Sequence, residues 1–460
     1  MAKYKAYPEY KDSGVEWLGE VPSHWEILSA KRMFQSVRTP AYKSDEQLAA
    51  SQKYGVIPQS LMMQLNDSKV MLALKGTESF RHVEANNFVI SLRSFEGGIE
   101  YSQYTGCVSP AYTVLKNSKP ISYSYYRYLL KCSPFIAALQ SSTDSLRDGK
   151  SINYEQFSAL SLPISLVQEQ NIIATFLDHE TAKIDNLIEK QQQLIELLKE
   201  KRQAVISHAV TKGLNPDAPM KDSGVEWLGE VPEHWTISTL KHHAKFIDGD
   251  RGSEYPNDND LVDDGVVFLS SKNISNWEIN IDDANYISRE KFSRLNRGKT
   301  INGDVIVKVR GSTGRIGELA IFETERLNKS TAFINAQMMI IRLKNSFNNR
   351  FLCNVAQGHY WMEQLNVGAY GTAQQQLNNA IFSGMIMVVP PIDEQLTINK
   401  FLELEIKRFD GLIKNTSNMI QLIQERRTAL ISAAVTGKID VRDWVAPDMQ
   451  DIEEPQEAIA

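Results

Sequence analysis

Two long stretches of the chain repeat apolar residues at steps of three and four positions, the spacing that places them on one face of an α-helix. The first, residues 169–212, contains no proline or glycine, and its apolar positions are Ile184, Leu187, Ile188, Leu194, Leu198, Val205 and Ala209. The second contains Gly411 as a weak point and carries Phe409, Leu412, Ile413, Ile420, Ile423, Leu430 and Ala434. At about 1.5 Å per residue, each stretch predicts a helix on the order of 65 Å long. Such helices need a partner for the apolar face, so we expect them to pair antiparallel with each other; two separate helical hairpins are the alternative.

The rest of the pattern consists of short β-branched runs between glycine and asparagine turns, which is typical of strands. In the first half of the chain these runs are "KVMLALKG", "FVISLRS" and "AYTVLK". In the second half they are "GVVFLSS", "DVIVKVRG", "IGELAIF" and "QMMIIRLK". A helix-like segment follows each set, "YSYYRYLLKC" from Tyr123 and "NNRFLCNVAQ" from Asn348. The pattern therefore predicts an α+β chain with two mixed α/β domains and two long antiparallel helices that form a coiled-coil spacer between them.

Two kinds of segment occur twice. The leader "KDSGVEWLGEVPSHW" (Lys11–Trp25) returns 210 positions later as "KDSGVEWLGEVPEHW" (Lys221–Trp235). A shift of 225 positions aligns the two helical stretches without a gap and pairs Glu169 with Glu394. The chain is thus two copies of one plan, and we expect a pseudo-twofold relation between them.

The repeats divide the chain into six predicted segments. These are a leader at 1–26, a first α/β domain at 27–163, a central region with the first long helix and the second leader at 164–236, a second α/β domain at 237–391, the second long helix at 392–440, and an acidic tail at 441–460. The formal net charge is −6, and the last 21 residues account for it, since seven acids stand there against Arg442. The rest of the chain is balanced, so local patches decide which partners it prefers.

The composition is that of an ordinary globular protein, with 460 residues, 42% hydrophobic and 23% charged. The apolar runs are too short to span a bilayer and the amino terminus has no apolar signal core, so we expect a cytoplasmic protein. The three cysteines, Cys107, Cys132 and Cys353, form no metal-binding or disulfide pattern and are expected to be buried thiols.

Motifs for catalysis are missing from the sequence. "GKS" at 149–151 and "GKT" at 298–300 have Asp144 and Ser293 where a phosphate-binding loop needs an earlier glycine. The eight histidines show no metal-ligand spacing, and His24 and His234 stand beside leader tryptophans, where packing is the expected role. We therefore expect no catalytic residues, no metal site and no cofactor on this chain.

The strongest charge signal is "RLNRGKTINGDVIVKVRGSTGR" (294–315), which carries six bases against Asp304. Forked guanidinium donors and hydroxyls on a glycine-flanked loop suit guanine edges and phosphates, and amides suit adenine; a solvated loop is the alternative. In the second domain the candidate DNA contacts are Lys272, Asn273, Arg297, Lys299, Lys308, Arg310, Ser312, Thr313, Arg315, Gln374 and Gln375. In the first domain they are Lys75, Arg81, Arg93, Ser94, Arg147 and Lys150, on or near the analogous strand end "FVISLRSFEGG". The tyrosines from Tyr123 to Tyr128 are expected to pack in the scaffold rather than stack on bases.

The doubled "SGVEWLGEVPxHW" leader, "PPIDEQ" at 390–395, the helix ends "KRQAVISHAVTKG" and "RRTALISAAVTGK", and "GDVIVKVRGSTGRIGELAIF" together resemble the specificity subunit of Type I restriction-modification systems. The resemblance covers nearly the whole chain. It implies two target recognition domains, each reading one half of a split site in double-stranded DNA, held apart by the paired helices. It also implies two modification subunits as partners, which methylate adenine, and restriction subunits that drive cleavage. S-adenosylmethionine, ATP and Mg²⁺ would then be bound by those partners alone. A coiled-coil scaffold with two protein-binding α/β domains is the competing hypothesis.

Overall fold

The computed structural model describes residues 4–66, 79–92, 94–142, 152–310, 316–368 and 377–446. The chain divides into two compact units. Unit 1 comprises Met1–Gln192 and Asn418–Ala460, and unit 2 comprises Gln193–Ser417. Each unit therefore combines one mixed α/β domain with part of both long helices.

Short strands and helices make up the α/β domain of unit 1. Its strands are β1 (Tyr10–Asp12), β2 (Glu20–Pro22), β3 (Glu26–Ser29), β4 (Phe34–Val37), β5 (Leu48–Ser51), β6 (Gly55–Pro58), β7 (Arg81–Val83), β8 (Phe88–Ile90), β9 (Glu100–Tyr101), β10 (Gly106–Val108), β11 (Thr113–Asn117) and β12 (Ser161–Ile164). Its helices are α1 (Ala30–Met33), α2 (Gln59–Asn66), α3 (Ser94–Gly97), α4 (Tyr123–Leu129), α5 (Ser133–Ser141) and α6 (Tyr154–Ala159). The long helix α7 (Val167–Lys212) follows.

Unit 2 repeats this order, with more strands among the residues that the structure describes. They are β13 (Met220–Asp222), β14 (Glu230–Pro232), β15 (Thr236–Thr239), β16 (Ala244–Asp248), β17 (Leu261–Val262), β18 (Val266–Leu269), β19 (Ile274–Ser275), β20 (Glu278–Ile279), β21 (Asn285–Ile287), β22 (Val305–Lys308), β23 (Leu319–Ile321), β24 (Ala332–Ile334), β25 (Met338–Leu343) and β26 (Ile386–Val389). The helices are α8 (Leu240–His243), α9 (Arg289–Arg294), α10 (Thr324–Leu327), α11 (Asn349–Gln357), α12 (His359–Gly368), α13 (Asn379–Gly384) and the long α14 (Ile392–Val435), with 3-10 turns at Asp258–Asp260 and Ser271–Asn273.

The two domains share a four-stranded sheet of the same topology. Its strand order is β4-β11-β8-β9 in unit 1 and β16-β25-β22-β23 in unit 2, and all neighbours are antiparallel. The registers correspond, because Leu115 lies between Ser36 and Phe88, and Ile341 lies between Val305 and Phe246, which is the equivalent of Ser36 by the leader alignment. The hairpin β22–β23 is therefore the equivalent of β8–β9, as the analogous strand ends in the sequence predict.

Beyond that shared sheet the domains differ. Unit 2 adds a second four-stranded sheet in the order β17-β21-β18-β24, in which β18 and β24 are parallel. The described residues of unit 1 have two-stranded pairs, β5–β6 and β10–β7, in place of it. The predicted tyrosine packing is confirmed, since Tyr125 and Tyr126 are buried and donate their hydroxyls to the backbone oxygens of Val435 and Pro163.

The long helices pair antiparallel within each unit. In unit 1, Arg427 of α14 makes a two-pronged ion pair with Asp185 of α7, at 2.8 and 3.0 Å. In unit 2 the repeat equivalents of these two residues form the same ion pair, with the arginine on α7 and the aspartate on α14. Arg202 contacts Asp410 at 2.9 Å. Since α7 and α14 each run unbroken, the predicted helical pair is confirmed and the alternative of two separate hairpins is excluded.

The contact face of the helices follows alternating steps of four and three residues, as in a coiled coil. Its partly or fully enclosed positions on α14 are Leu402, Ile406, Phe409, Ile413, Thr416, Ile420, Ile423, Arg427, Leu430 and Ala434, and those on α7 lie 225 positions earlier. Three residues that the sequence placed on the apolar face, Leu187, Leu194 and Leu412, are exposed instead. The sequence prediction was wrong for these three because they lie one helical position off the seam.

The repeated leader joins the start of one long helix to the end of the other within its unit. In unit 1, the carboxylate of Glu169, near the start of α7, accepts hydrogen bonds from Trp25 Nε1 (3.1 Å) and Tyr7 Oη (2.8 Å) and lies 2.9 Å from His24 Nε2. In unit 2, Glu394 accepts from Trp235 Nε1 at 2.9 Å and lies 2.8 Å from His234 Nε2. The leader histidines thus pack as predicted.

Glycines at the helix ends let the leader approach closely. Gly213 and Gly437 have φ of 78° and 73°, the left-handed conformation that ends a helix. A Cβ on Gly437 would lie 2.4 Å from Pro22 Cδ, and one on Gly213 would lie 3.1 Å from the Trp235 ring. The near-identical fifteen residues therefore recur because two equivalent helix crossings need the same clamp.

Two expectations from composition concern the interior and the membrane. Cys107, Cys132 and Cys353 are buried free thiols, as predicted. None of the described helices combines the length and apolar character needed to cross a membrane.

Candidate nucleic-acid interface

The basic loop of unit 2 leaves the sheet between β22 and β23, and a buried ion pair stands at its base. Lys308 Nζ lies 2.8 Å from Glu318 Oε2, with only 4% and 8% of the two side chains exposed. The backbone amide of Lys308 also donates to the carbonyl oxygen of Glu318 across the hairpin, at 3.1 Å. The carboxylate oxygen Glu318 Oε1 accepts a hydrogen bond from the backbone amide of Trp277 at 3.0 Å. Lys308 therefore holds the base of the loop in this structure, and its ammonium group is not available to DNA.

A turn at residues 335–338 gathers three segments near that loop. The carbonyl oxygen of Gln337 accepts the amides of Val309 (3.0 Å) and Arg310 (3.2 Å). The Gln337 side chain accepts from Ser271 Oγ at 3.3 Å, so the 3-10 turn that carries Lys272 is tied to the same place. Arg251 donates to the carbonyl of Ala336 at 3.0 Å.

Asp250 connects a fourth segment to this group. Its carboxylate accepts the amides of Gly252 at 2.8 Å and Asn296 at 2.9 Å, and these backbone donors hold the pKa of Asp250 below its usual value. The segment that begins at Asn296 carries the exposed Arg297. Lys299 follows, with Nζ 3.2 Å from the carbonyl of Ser293 and 4.8 Å from the centre of the Phe292 ring.

The structure thus brings the segments of four predicted residues, Lys272, Arg297, Lys299 and Arg310, to one part of unit 2. Sequence reasoning missed Arg251, whose segment "GDRG" has the glycine-flanked form of the predicted loop. Among these, Arg251, Lys272 and Arg297 are exposed, and Lys299 and Arg310 are half-buried. We call this set, Arg251, Lys272, Arg297, Lys299 and Arg310, the basic cluster.

Two further predicted residues have other partners. Asn273 is buried; its Oδ1 accepts the Ser270 amide at 2.9 Å and its Nδ2 donates to the carbonyl of Asn280 at 3.2 Å. Ser94 of unit 1 is also buried, and its hydroxyl accepts the Ser91 amide at 2.8 Å. These side chains stabilise turns, so we do not include them in a DNA surface.

In unit 1 the described part of the candidate surface centres on Arg81. Its guanidinium donates to the carbonyl of Tyr112, and burial followed by the charge of Arg38 lowers the pKa of Arg81. Arg38, which sequence reasoning also missed, is exposed directly after β4, much as Arg251 follows the equivalent strand β16. The other predicted contacts, Lys75, Arg93, Arg147, Lys150, Ser312, Thr313, Arg315, Gln374 and Gln375, lie outside the described residues.

Cations held by backbone hydrogen bonds on a rigid sheet are suited to phosphate oxygens, and exposed arginines can also reach base edges. In the part of the chain that the structure describes, no group of three or more His, Cys, Asp and Glu side chains is arranged to hold a metal ion. The cations of the described surface therefore support binding through charge and hydrogen bonds.

Comparison with known proteins gives a consistent result. The model of the family described as "Type I restriction modification DNA specificity domain" matches residues 22–197 and 232–422. The chain is similar to the Type I restriction enzyme MjaVIII specificity subunit of Methanocaldococcus jannaschii, with 22% identity over 429 residues, 92% of this chain and 95% of that protein.

Two solved structures share the fold. A chain from a structure of a type I R-M system has a TM-score of 0.69 and 13% identity, and the alignment covers 91% of this chain and 99% of that one. The HsdS subunit from Thermoanaerobacter tengcongensis has a TM-score of 0.53 and 13% identity, with 91% and 98% covered. The likeness in fold extends over nearly the full length of the chain.

Proposed function

Because the chain belongs to the family of Type I restriction modification DNA specificity proteins, we propose that it is the DNA-reading subunit of such a system and that each α/β domain reads one half of a two-part site. The observation that carries the proposal is the double family match, at 22–197 and 232–422, one for each copy of the shared sheet. Relatives named as specificity subunits favour this function over the scaffold hypothesis.

The two copies of the sheet explain how one chain can read two sequences. Each copy presents a hairpin at the same place, β8–β9 and β22–β23, while the surrounding strands differ. The basic cluster supplies unit 2 with phosphate and base-edge donors, and Arg38 with Arg81 supplies unit 1. A protein that binds a split, asymmetric DNA site requires two domains with the same sheet and different surface residues.

The proposed protein partners are two modification subunits that dock on the long helices. Leu187 and Leu197 on α7 are exposed, and so are their repeat equivalents Leu412 and Leu422 on α14. Large apolar side chains exposed at matching positions of a repeat suit two copies of one partner. The chemistry of methylation and cleavage, with S-adenosylmethionine, ATP and Mg²⁺, then resides in the partner subunits.

Exchange of one domain tests the division of labour. Residues 237–391 are replaced by the matching segment of a relative, and adenine methylation is mapped in a host that also carries the modification subunits. We expect one half of the methylated motif to change, and exchange of residues 27–163 to change the other half. A change in both halves, or in neither, from a single exchange contradicts the proposal.

The basic cluster is tested by the double substitution Arg297→Ala with Arg310→Ala. Loss of two cations should weaken DNA binding by the assembled complex about ten- to hundredfold at fixed salt. Arg326→Ala is the matched control, because Arg326 is an arginine of the same unit that pairs with Glu278 at 3.1 Å. Equal affinities of the double variant and the control would exclude the cluster from the DNA surface.

A further inference from the structure

Phe176 and Phe401 are repeat equivalents with different surroundings. Phe176 on α7 is 1% exposed, whereas Phe401 on α14, 225 positions later, is 38% exposed. Each lies on a long helix of its own unit, near the end of the other long helix. The difference therefore comes from what covers the ring.

In unit 1 the chain itself covers the ring. The Tyr4 ring lies edge-on to Phe176 with centroids 5.4 Å apart, and the Trp444 ring does the same at 5.6 Å. The two covering segments are joined by a bridge between Lys5 and Asp440. An extended aromatic-bearing segment therefore fits this position on the frame.

In unit 2 the same position is an open groove of about 460 Å³. Its lining includes Phe401, Lys201, Val205, His208 and Leu214. Leu404, which replaces the His179 that contacts Trp444 in unit 1, is 70% exposed. The apolar face that unit 1 covers is thus exposed to solvent in unit 2.

Chain continuity explains why unit 2 leaves the groove open. In unit 1 the cover comes from two segments, one before the leader and one after the long helix. In unit 2 one stretch, residues 213–219, connects the end of α7 directly to the leader. By the leader alignment Leu214 stands where Tyr4 does, and by the helix alignment Pro219 stands where Trp444 does. Both covering aromatic residues are therefore missing from this copy.

The charge beside the groove indicates what else an occupant carries. In unit 1 the Trp444 segment includes the acids Asp440 and Asp443. Arg426 of α14 lies close enough to Tyr4 for an electrostatic interaction. The repeat equivalent of Arg426 is Lys201, which lines the groove in unit 2. A cation at the edge of an apolar groove favours an apolar anchor next to negative charge.

We propose that the groove beside Phe401 binds a segment of a partner protein that carries an aromatic side chain next to acidic residues. The aromatic ring takes the place that Tyr4 and Trp444 fill in unit 1, and an acid faces Lys201. Because unit 1 fills its own groove, a partner finds this anchor on one copy of the frame and not on the other. The inference adds a docking site to the proposed DNA-reading function and does not depend on it.

The probe is a labelled peptide with the sequence of residues 438–446, "KIDVRDWVA", because it carries the side chain that fills the equivalent groove. Binding to the full chain is followed by fluorescence anisotropy. We expect Phe401→Ser, and a peptide with alanine in place of tryptophan, to weaken binding at least about tenfold. Lys201→Glu, a change on the exposed edge that leaves the core intact, should weaken it severalfold. Met419→Ser, which removes an exposed apolar side chain from the unit 1 part of α14, is the matched control and should bind as the unaltered chain does.

Three outcomes would overturn the proposal. The first is no binding by the unaltered chain. The second is equal binding by Phe401→Ser and Met419→Ser, which would place the peptide elsewhere. The third is a dimer in sedimentation that Phe401→Ser dissociates, which would make a second copy of this chain the occupant. Thermal melting of each variant verifies that it is folded.

Discussion

The equivalent hairpins of the two units are closed by different chemistry. In unit 2 the buried pair Lys308 and Glu318 stands at the base of the β22–β23 loop, whereas in unit 1 the register of the sheet places Ser91 and Gly98, both buried and uncharged, at the corresponding positions. The strand registers are the same in both sheets. A buried ion pair and two small uncharged residues therefore close the same backbone, so the strand pairing belongs to the shared framework and the pair of Lys308 with Glu318 is specific to unit 2.

Removal of one partner of the buried pair should have the largest effect. Lys308→Met leaves the Glu318 carboxylate buried without its cation, which costs about 3–5 kcal/mol. The double variant Lys308→Met with Glu318→Leu leaves no unpaired charge in the buried site and should recover most of that loss. The Trp277 amide, which then lacks its acceptor, accounts for about 1 kcal/mol that stays lost. Chemical unfolding of the full chain measures both changes, and a double variant as unstable as the single one would show that the loss does not come from an unpaired buried charge.

The two leader clamps allow an intermediate effect to be compared. Glu169→Ala removes the acceptor for Trp25 and Tyr7 in a buried place, so we expect unit 1 to lose about 3 kcal/mol. Glu394→Ala removes the acceptor for Trp235 at a more exposed site, and solvent should limit the loss to about 1 kcal/mol. The shift in unfolding midpoint should therefore be clearly larger for Glu169→Ala. Equal shifts would mean that the tyrosine adds nothing to the clamp.

The smallest expected effect is a gain in stability. Gly411 lies inside α14, and a Cβ there would meet nothing within 4 Å. Gly411→Ala should stabilise the helix by about 1 kcal/mol, because alanine restricts the unfolded chain more than glycine does. The equivalent residue of α7 is Asn186, and Asn186→Ala should give about 0.5 kcal/mol. A lower melting temperature for Gly411→Ala would mean that this stretch of α14 needs the freedom of glycine.

The sequence predicted the parts of the fold that local periodicity determines. The long helices α7 and α14 lie where the pattern predicted them, and so do the helices α4 and α11. The same holds for the strands β8, β11, β18, β22, β23 and β25. The misplaced leucines, Leu187, Leu194 and Leu412, show the limit of this reasoning. Two neighbouring lines of side chains on a helix both show a spacing of three and four residues. Only the packing of the partner helix decides which of the two lines is buried.

The candidate site was harder to predict because burial and long-range bonds decide it. The residues around Lys308 in the sequence predict an exposed basic loop. In the structure Lys308 is buried in an ion pair with Glu318, which lies across the hairpin. Asn273 and Ser94 were chosen for their polar groups, which turns in the backbone already use. Arg251 was missed because its place in the basic cluster depends on Ala336, 85 positions away.

The two helix ends differ in letter order, "TKG" against "TGK", yet Lys212 and Lys438 each donate to the carbonyl oxygen of the equivalent leader residue, Glu230 and Glu20. A column-by-column comparison of the copies would score this transposition as two mismatches. A comparison by donor and acceptor scores it as identity. A search for other proteins with a duplicated helix and leader would therefore be more sensitive if it compared which carbonyl oxygen the lysine reaches. It would also have to allow the lysine to shift by one position along the chain.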